Sequence, residues 1–339
     1  MQIIDLVPDL QPVILAARQA QDARNTLAQF LPNVNVPAVS YRLGRAQRLD
    51  QTVPVRAIDA PATPIRRPGV VDVRGDLPAI TPIVNLSEQD LTNDMVIARQ
   101  LAGLEVDFAP AVEDAAARVA LTVDNTLELM RAQLLSTGVV SLQADDGSTH
   151  AVDFGVPSGQ KVTPQVDWSQ GSSDPFGDLV KWHRLFILAN GGPAGAIVGA
   201  DGVYARLLQV MKAQFPNLPI GESALRAHLV DLRLPPFFTY DRTMRDAGGA
   251  ITRLYPDDSL TFLPGPDAPI GRTELGVTQE AVQQVMAGVL RAEEAPGLTI
   301  VTLGQDNPVQ RAVKAAALGM PVLRDTDSIV IASAIFGPR

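Results

Sequence analysis

Three histidines, His150, His183 and His228, are the side chains suited to hold a metal ion or shuttle a proton near neutral pH. They lie far apart in the chain, and no H-x-x-x-H or H-x-H spacing puts two imidazoles on one face of a helix or strand. No metal site is therefore legible, and each histidine reads as a packed or surface residue. The stretch Gly191 to Gly199, GGPAGAIVG, has the glycine density of a phosphate-binding loop. It lacks the G-x-G-x-x-G order and the G-K-S/T ending, and Pro193 removes an amide that such a loop needs, so it reads as a tight turn before a strand. Two acidic pairs, Asp145 with Asp146 and Asp257 with Asp258, have the composition of a general acid and base. Both sit beside turn residues, where aspartate is favoured for bonding its own backbone. With no cysteine and no G-x-S-x-G, the sequence offers no nucleophile motif, and no catalytic residue, cofactor site or metal ligand is assigned.

Arginine is the one chemistry that clusters. Between Val36 and Asp76 stand Arg42, Arg45, Arg48, Arg56, Arg66, Arg67 and Arg74 against four aspartates, so this stretch carries +3 within a chain of net charge -9, and the remainder carries -12. A basic patch of this kind seeks an acidic partner. The overall balance, with pI near 4.9, argues against a surface built to grip nucleic acid phosphates.

The elements that must position these residues begin with one long helix. Pro110 to Ser136 contains no breaker, and Val112, Ala116, Val119, Val123, Leu127, Met130 and Leu134 recur at steps of three and four. The opposite face carries Glu113, Asp114, Arg118, Asp124, Glu128 and Arg131; Pro110 suits the first turn, and Gly138 follows as a stop. Such a helix is about 40 Å long, more than the diameter of a small domain, and is expected to act as a spine. Glu113, Asp114 and Glu128 on its exposed face are candidate acceptors for the arginines of adjacent copies.

Ahead of the spine, a helix is expected from about Leu10 to Leu31, closed by Pro32 and Asn33. Residues 33 to 82 change to extended segments broken by prolines, with alternation in VPVRAI and GVVDVRG. This stretch has too little apolar content to fold by itself, and reads as a two-stranded arm lying on something else or as a linker. A capped helix follows Ser87, with Leu91, Met95, Ala98 and Leu101 on one face. After the spine, Val140 to Asp153 reads as a hairpin. Helices at 175–190, 202–215 and 222–231, with short strands at AGAIVGA, PFFTYD, AITRLY and SLTFLPG, compose an α+β region. Extended pieces fill the last forty residues and are expected to return to a sheet beside the spine. No apolar run reaches the roughly 18 residues needed to span a bilayer, the N-terminus carries acids where a signal peptide carries bases, and a soluble chain with no membrane partner is expected.

In this order the parts resemble the major capsid proteins of tailed bacteriophages, specifically the lambda-like capsid protein E family. VDWSQGSSDPFGDLVKW, Val166 to Trp182, is similar to the W-S...DP..D segment that opens that family's central domain. PDDSLTFLPG, Pro256 to Gly265, is similar to its F-L-P-D-N-T segment, and MPVLRDTDSIVIASAI, Met320 to Ile335, to its C-terminal strands separated by a turn. The resemblance implies an α+β tailed-phage capsid fold: an N-terminal arm (1–32), an extended loop (33–86), a peripheral domain with the spine helix and a β-sheet (87–165), an axial α+β domain (166–305) and C-terminal strands returning to the peripheral domain (306–339).

It further implies a structural, non-enzymatic subunit of the virion, assembled in the host cytoplasm into hexamers and pentamers of an icosahedral shell around double-stranded DNA, which the acidic body, short of Lys and Arg, is expected to contact weakly. A portal and a decoration protein are the expected partners, and the absence of a long N-terminal scaffolding segment points to a separate scaffold protein. Some capsids of this fold cross-link by an isopeptide bond from a loop lysine. The lysines here are Lys161, Lys181, Lys212 and Lys314, none in the loop, so a non-covalent shell is expected. Two alternatives stand beside this reading: an encapsulin-like nanocompartment shell, and a nucleotide-dependent enzyme whose binding depends on Gly192 and Gly195.

Overall fold

The computed structural model describes residues 2–3, 10–46, 70–87, 89, 109–143, 149–216, 219–245, 249–268, 270–306 and 309–337. The chain divides into two compact units: 1–41, 75–131 and 273–321 form the first, and 42–74, 132–272 and 322–339 the second. This division departs from the sequence expectation at three places. Residues 132–165, expected with the peripheral domain, group with the second unit, residues 273–305, expected with the axial domain, group with the first, and residues 322–339 group with the second.

In the first unit, α1 runs Gln11–Asp22 and stops well short of Leu31. Asn25 leaves the helical region at ψ 59°, and a 3-10 turn at Thr26–Gln29 follows. The break turns Leu27, Phe30 and Leu31 inward, where all three are buried. The spine helix, α2, spans Ala109–Thr137, close to the periodicity prediction. Its predicted stripe from Val112 to Leu134 is buried throughout, joined by Ala115, Ala120 and Ala132. Gly138, at φ 76°, supplies the left-handed stop and donates its N–H to Leu134 O. The helix after Ser87, with Leu91, Met95, Ala98 and Leu101, lies outside the described residues.

A seven-stranded sheet underlies this unit. Its strands, numbered along the chain, are β1 (Gln2–Ile3), β2 (Asn33–Asn35), β5 (Ala79–Ile80), β6 (Ile83–Leu86), β15 (Gly271–Leu275), β16 (Thr299–Asp306) and β17 (Val309–Leu323), in the order β1-β16-β17-β15-β2 with β5 and β6 also on β17. β16 and β17 form a long antiparallel hairpin with Thr302 opposite Val313. Alanines 312, 315, 316 and 317 of β17 are fully buried. At Gly319 a side chain would come within 2.7 Å of Leu275 Cδ2 and 3.2 Å of Leu127 Cδ2, so the small residue lets α2 lie close on the sheet. Strands β3 (Ser40–Ala46) and β4 (Val70–Asp76), whose residues 42–46 and 70–74 group with the second unit, pair as a two-stranded ribbon. At its base Tyr41 lies across Gly75, where any Cβ would meet the phenol oxygen at 2.5 Å and the ring at 2.7 Å. Burial, then the nearby Asp76 carboxylate, push the Tyr41 phenol above its usual pKa.

The second unit is built on a five-stranded sheet ordered β11-β10-β14-β18-β9: β9 is Lys161–Val162, β10 Ala196–Gly199, β11 Phe237–Thr239, β14 Leu260–Leu263 and β18 Val330–Ala332. The helices packed with it are α3 (Pro175–Asn190), α4 (Asp201–Gln214) and α5 (Glu222–Asp231), each within a residue of the sequence expectation. Trp168, Phe176, Trp182, Phe186, Leu207 and Phe262 anchor their common core. Two ribbons complete the unit: β7 (Val139–Gln143) with β8 (Thr149–Asp153), the expected hairpin, and β12 (Thr243–Arg245) with β13 (Ile251–Arg253). The strands on either side of the turn at Arg324–Ser328 do not pair with each other, since β17 belongs to the seven-stranded sheet and β18 to the five-stranded one.

Candidate functional site: anchoring clusters and assembly surfaces

The first unit's polar residues concentrate where α1 and the segment after it cross α2. Arg18 grips Asp124 through two bonds, Nε to Oδ2 at 2.8 Å and Nη2 to Oδ1 at 2.9 Å, and Gln21 Nε2 donates to Asn125 Oδ1 at 2.6 Å. One turn on, Glu128 Oε1 accepts the Leu27 amide at 3.0 Å and Oε2 accepts from Arg131 Nη1 at 2.9 Å. Arg131 also donates from Nε to Thr273 Oγ1 at 2.9 Å and from Nη2 to Asn33 Oδ1. The Thr273 hydroxyl donates in turn to Leu31 O at 2.9 Å. One guanidinium thus joins the spine helix, β2 and β15, a planar fork with each of its three nitrogens on a fixed acceptor.

This cluster corrects the expectation for Glu128. It is fully buried, not displayed on an exposed face, because the N-terminal segment folds over that side of α2, and Asp124 and Arg131 are buried with it. A neighbour's arginine has no path to Glu128. Asp114 is exposed and holds Arg118 at 2.7 Å, an i,i+4 pair on the surface, while Glu113 is half-buried. Of the arginines predicted to contact adjacent copies, the backbones of Arg42 and Arg45 lie in β3 and that of Arg74 in β4, their side chains outside the described residues. Arg48, Arg56, Arg66 and Arg67 lie outside the described residues altogether.

The groups singled out as possible chemistry resolve into packing and turns. Gly191 caps α3 in the left-handed region at φ 71°. Ala196–Gly199 is wholly buried strand, with the amides of Gly195 and Ile197 donating to Leu263 O and Pro236 O. A side chain at Gly195 would collide with the Gly265 backbone at 2.4 Å. The stretch is a helix cap and a core strand, and the amides of Gly191, Ala194, Gly195 and Ile197 are all bonded within the unit, which argues against the phosphate loop that the nucleotide-enzyme alternative needs. His183 is buried; its Nε2 accepts the Ala194 amide at 3.2 Å and its ring stacks on Phe262, and burial lowers its pKa. His228 packs its ring edge-on against Phe176, and His150 is exposed on β8. Among the described residues no group of histidines and acids is placed to hold a metal, and no helix is long and apolar enough to cross a membrane. Asp257 pairs with Arg253 at 2.9 Å, and the neighbouring Asp258 accepts the Ile335 amide through its backbone carbonyl. Asp145 and Asp146 lie outside the described residues.

The segments quoted for the family resemblance are joints. In VDWSQGSSDPFGDLVKW, Asp174 caps α3 by accepting the Gly177 amide at 3.0 Å, with Pro175 in the first helical position. Asp178 accepts the indole N–H of Trp168 at 3.0 Å, and Trp168 stacks on Trp182 with ring centroids 5.7 Å apart. Arg206 on α4 donates to the carbonyls of Trp168 and Gln170. Within PDDSLTFLPG, Thr261 bridges Tyr255 OH, 2.6 Å away, and Leu135 O, 2.7 Å away, tying the last turn of α2 to β14. Complete burial pushes the Tyr255 phenol far above its ordinary pKa. In the C-terminal segment Asp325 accepts the Asp327 amide at 3.1 Å and the Ser328 hydroxyl. What sequence reading missed is the long-range wiring of Arg18, Asn33 and Thr273 to α2, for which no local spacing gives a signal.

The model of the family described as phage major capsid protein E matches residues 23–334. Solved structures share the fold at low identity. A protein assigned as the capsid protein of an E. coli CFT073 prophage is 12% identical, with 94% of this chain and 97% of that chain covered at a TM-score of 0.58. A phage-related protein from Bordetella bronchiseptica RB50 is 13% identical with all of both chains covered, TM-score 0.59. The capsid of Myoviridae phage XM1 is 11% identical with 91% of each covered, TM-score 0.54. Comparison with curated protein sequences gives no match. The α+β architecture, with its spine helix, ribbon arm and second sheet unit, is the fold of tailed-phage capsid proteins. On a family match that runs through both units, the chain belongs to the phage major capsid protein E family and is a structural, self-associating component of the virion.

Proposed function

We propose that this chain builds a closed icosahedral shell of hexamers and pentamers around double-stranded DNA. The observation that carries the reading is the family match over residues 23–334, which includes both units and the arm between β3 and β4. The first unit serves as the peripheral domain and the second as the axial domain, and the β3–β4 ribbon reaches a neighbouring subunit. Its arginines, Arg42, Arg45, Arg48, Arg56, Arg66, Arg67 and Arg74, lie against acidic residues of that neighbour, with Glu113 and Asp114 as the remaining acceptors on α2. Single surface pairs contribute about 0 to 1 kcal/mol, so the effect comes from repetition over the whole shell. A chain of net charge -9 offers packaged DNA few contacts, and a scaffold protein, a portal and a decoration protein are the partners such a shell works with. An encapsulin-like cargo shell is the second reading; the capsid-protein family match favours the phage shell.

Single-particle reconstruction of purified particles tests this. Fivefold and sixfold clusters of the chain, with the ribbon lying over an adjacent subunit, are expected. A shell made of one kind of cluster around a protein cargo would overturn the phage reading, and tight, salt-sensitive DNA binding by the free subunit would overturn the weak-contact part of it.

A further inference from the structure

Between α4, α5 and the approach to β11 the second unit holds an apolar groove of about 390 Å³, walled by Leu229, Val230, Leu234, Phe237 and Phe238, with Tyr204 in its lining. Val230 at the mouth is 70% exposed. Tyr204 is only 8% exposed, yet its hydroxyl has no hydrogen-bond partner among the described residues, which is costly for a buried donor unless something else completes the site. The groove asks for an apolar side chain together with a hydrogen-bond acceptor.

The same unit carries a surface with both. In the β12–β13 ribbon every residue but Met244 is exposed, and Ile251 is 63% exposed. A two-stranded ribbon with neither face packed is marginal in water and calls for cover. Its root is fixed, since Arg253 pairs with Asp241 at 3.0 Å and Asp257 at 2.9 Å and the Leu254 amide bonds Arg242 O, so the uncovered part is presented on a firm base. Charge fits at one point: Arg245 is exposed on the ribbon and Asp231 is exposed on α5 next to Val230, while Glu222 is held at 3.2 Å by Arg226, which lines the groove. The ribbon does not fill the groove of its own chain, as the exposure of both Val230 and Ile251 shows.

We propose that the β12–β13 ribbon of one copy docks in the α4–α5–β11 groove of the next copy, placing Ile251 among Leu229, Val230 and Phe238 and a backbone carbonyl of the extended ribbon within reach of the Tyr204 hydroxyl. Each copy then gives a ribbon and receives one through two different surfaces. That is a heterologous contact, which closes into a ring when the rotation between copies closes. The proposal rests on the shell reading above and names the contact that orders copies around one cluster.

The natural chain has no cysteine, so an introduced pair reports one contact without background. Shells of the Val230→Cys, Ile251→Cys double variant, confirmed by negative stain, are oxidised with copper phenanthroline and run without reductant on a denaturing gel. Both positions are exposed, and circular dichroism of the free subunit checks that it folds as the natural chain does. A ladder extending to six chains, absent from each single variant and collapsed by reductant, is the expected result. Intact oxidised shells that give monomers only, a disulfide confined within one chain, or a ladder from either single variant would overturn the docking while leaving the shell reading standing. Failure of the natural chain to form any shell would sink both.

Discussion

Arg131 and Glu128, one turn apart on α2, form an ion pair inside the first unit: Nη1 lies 2.9 Å from Oε2, with the side chains 3% and 0% exposed. Removing one partner of such a pair leaves a buried charge uncompensated, at a cost of about 3–5 kcal/mol. Arg131→Ala and Glu128→Ala are each expected to lower the stability of the free subunit by about that much in urea titrations. Glu128→Leu combined with Arg131→Met should cost less than the two single alanine changes added together, because the apolar pair leaves no orphan charge. Equal and additive losses would mean that the pair is not the joint described.

Gly195 and Gly192 separate packing from ligand binding. Gly192 has open space at the Cβ position, whereas a Cβ at Gly195 meets the Gly265 backbone at 2.4 Å. Gly195→Ala is expected to destabilise by about 1–3 kcal/mol, the usual cost of overpacking. Gly192→Ala should stay within about 0.5 kcal/mol. Melting curves of the two variants decide it, and equal effects would contradict the packing account.

His183 gives the second unit a pH dependence of known sign. Burial lowers its folded pKa below the unfolded value of about 6.5. The folded chain therefore takes up the proton later than the unfolded chain. Stability present above about pH 6.5 is lost as pH falls from there through the folded pKa, where the Ala194 amide loses its acceptor. Urea midpoints measured from pH 7.5 to 5 should fall for the natural chain and fall less steeply for His183→Gln. Parallel slopes would exclude His183 as the source.

Periodicity made the spine legible, because Val112 to Leu134 repeats at helical spacing and the sheet and core bury that stripe. The same reasoning misplaced Glu128, since its burial is decided by Leu27, and through Arg131 by Asn33 and Thr273, which lie 98 to 142 residues away from their α2 partners. Asp174–Pro175 announced the start of α3 through a local cap, a signal carried within four residues. Sheet membership carries no such signal: β17 and β18 are both apolar strands flanking one turn, and only their partners, β16 and β14, send them to different sheets. The unpartnered Tyr204 hydroxyl was invisible for the same reason, being defined by what its neighbours fail to supply.

The position of the lysines predicts a shell without covalent cross-links. Lys314 is engaged with Glu280 at 2.6 Å, and no lysine occurs between Val36 and Asp76. Burial works against the Glu280 carboxylate, but the hydrogen bond from Lys314, a bond to its own backbone amide and the Lys314 charge outweigh it and hold the pKa below its ordinary value. Mature particles boiled in detergent should give a single band near 36.1 kDa, and a ladder of covalent oligomers would refute the prediction.

Self-association into a closed shell is the central claim, and sedimentation of the purified protein with parallel negative-stain imaging tests it most directly. Produced alone or with the scaffold protein proposed for it, the chain should sediment as closed particles far ahead of a 36.1 kDa monomer. A stable monomer at micromolar concentration, with and without that partner, would contradict it.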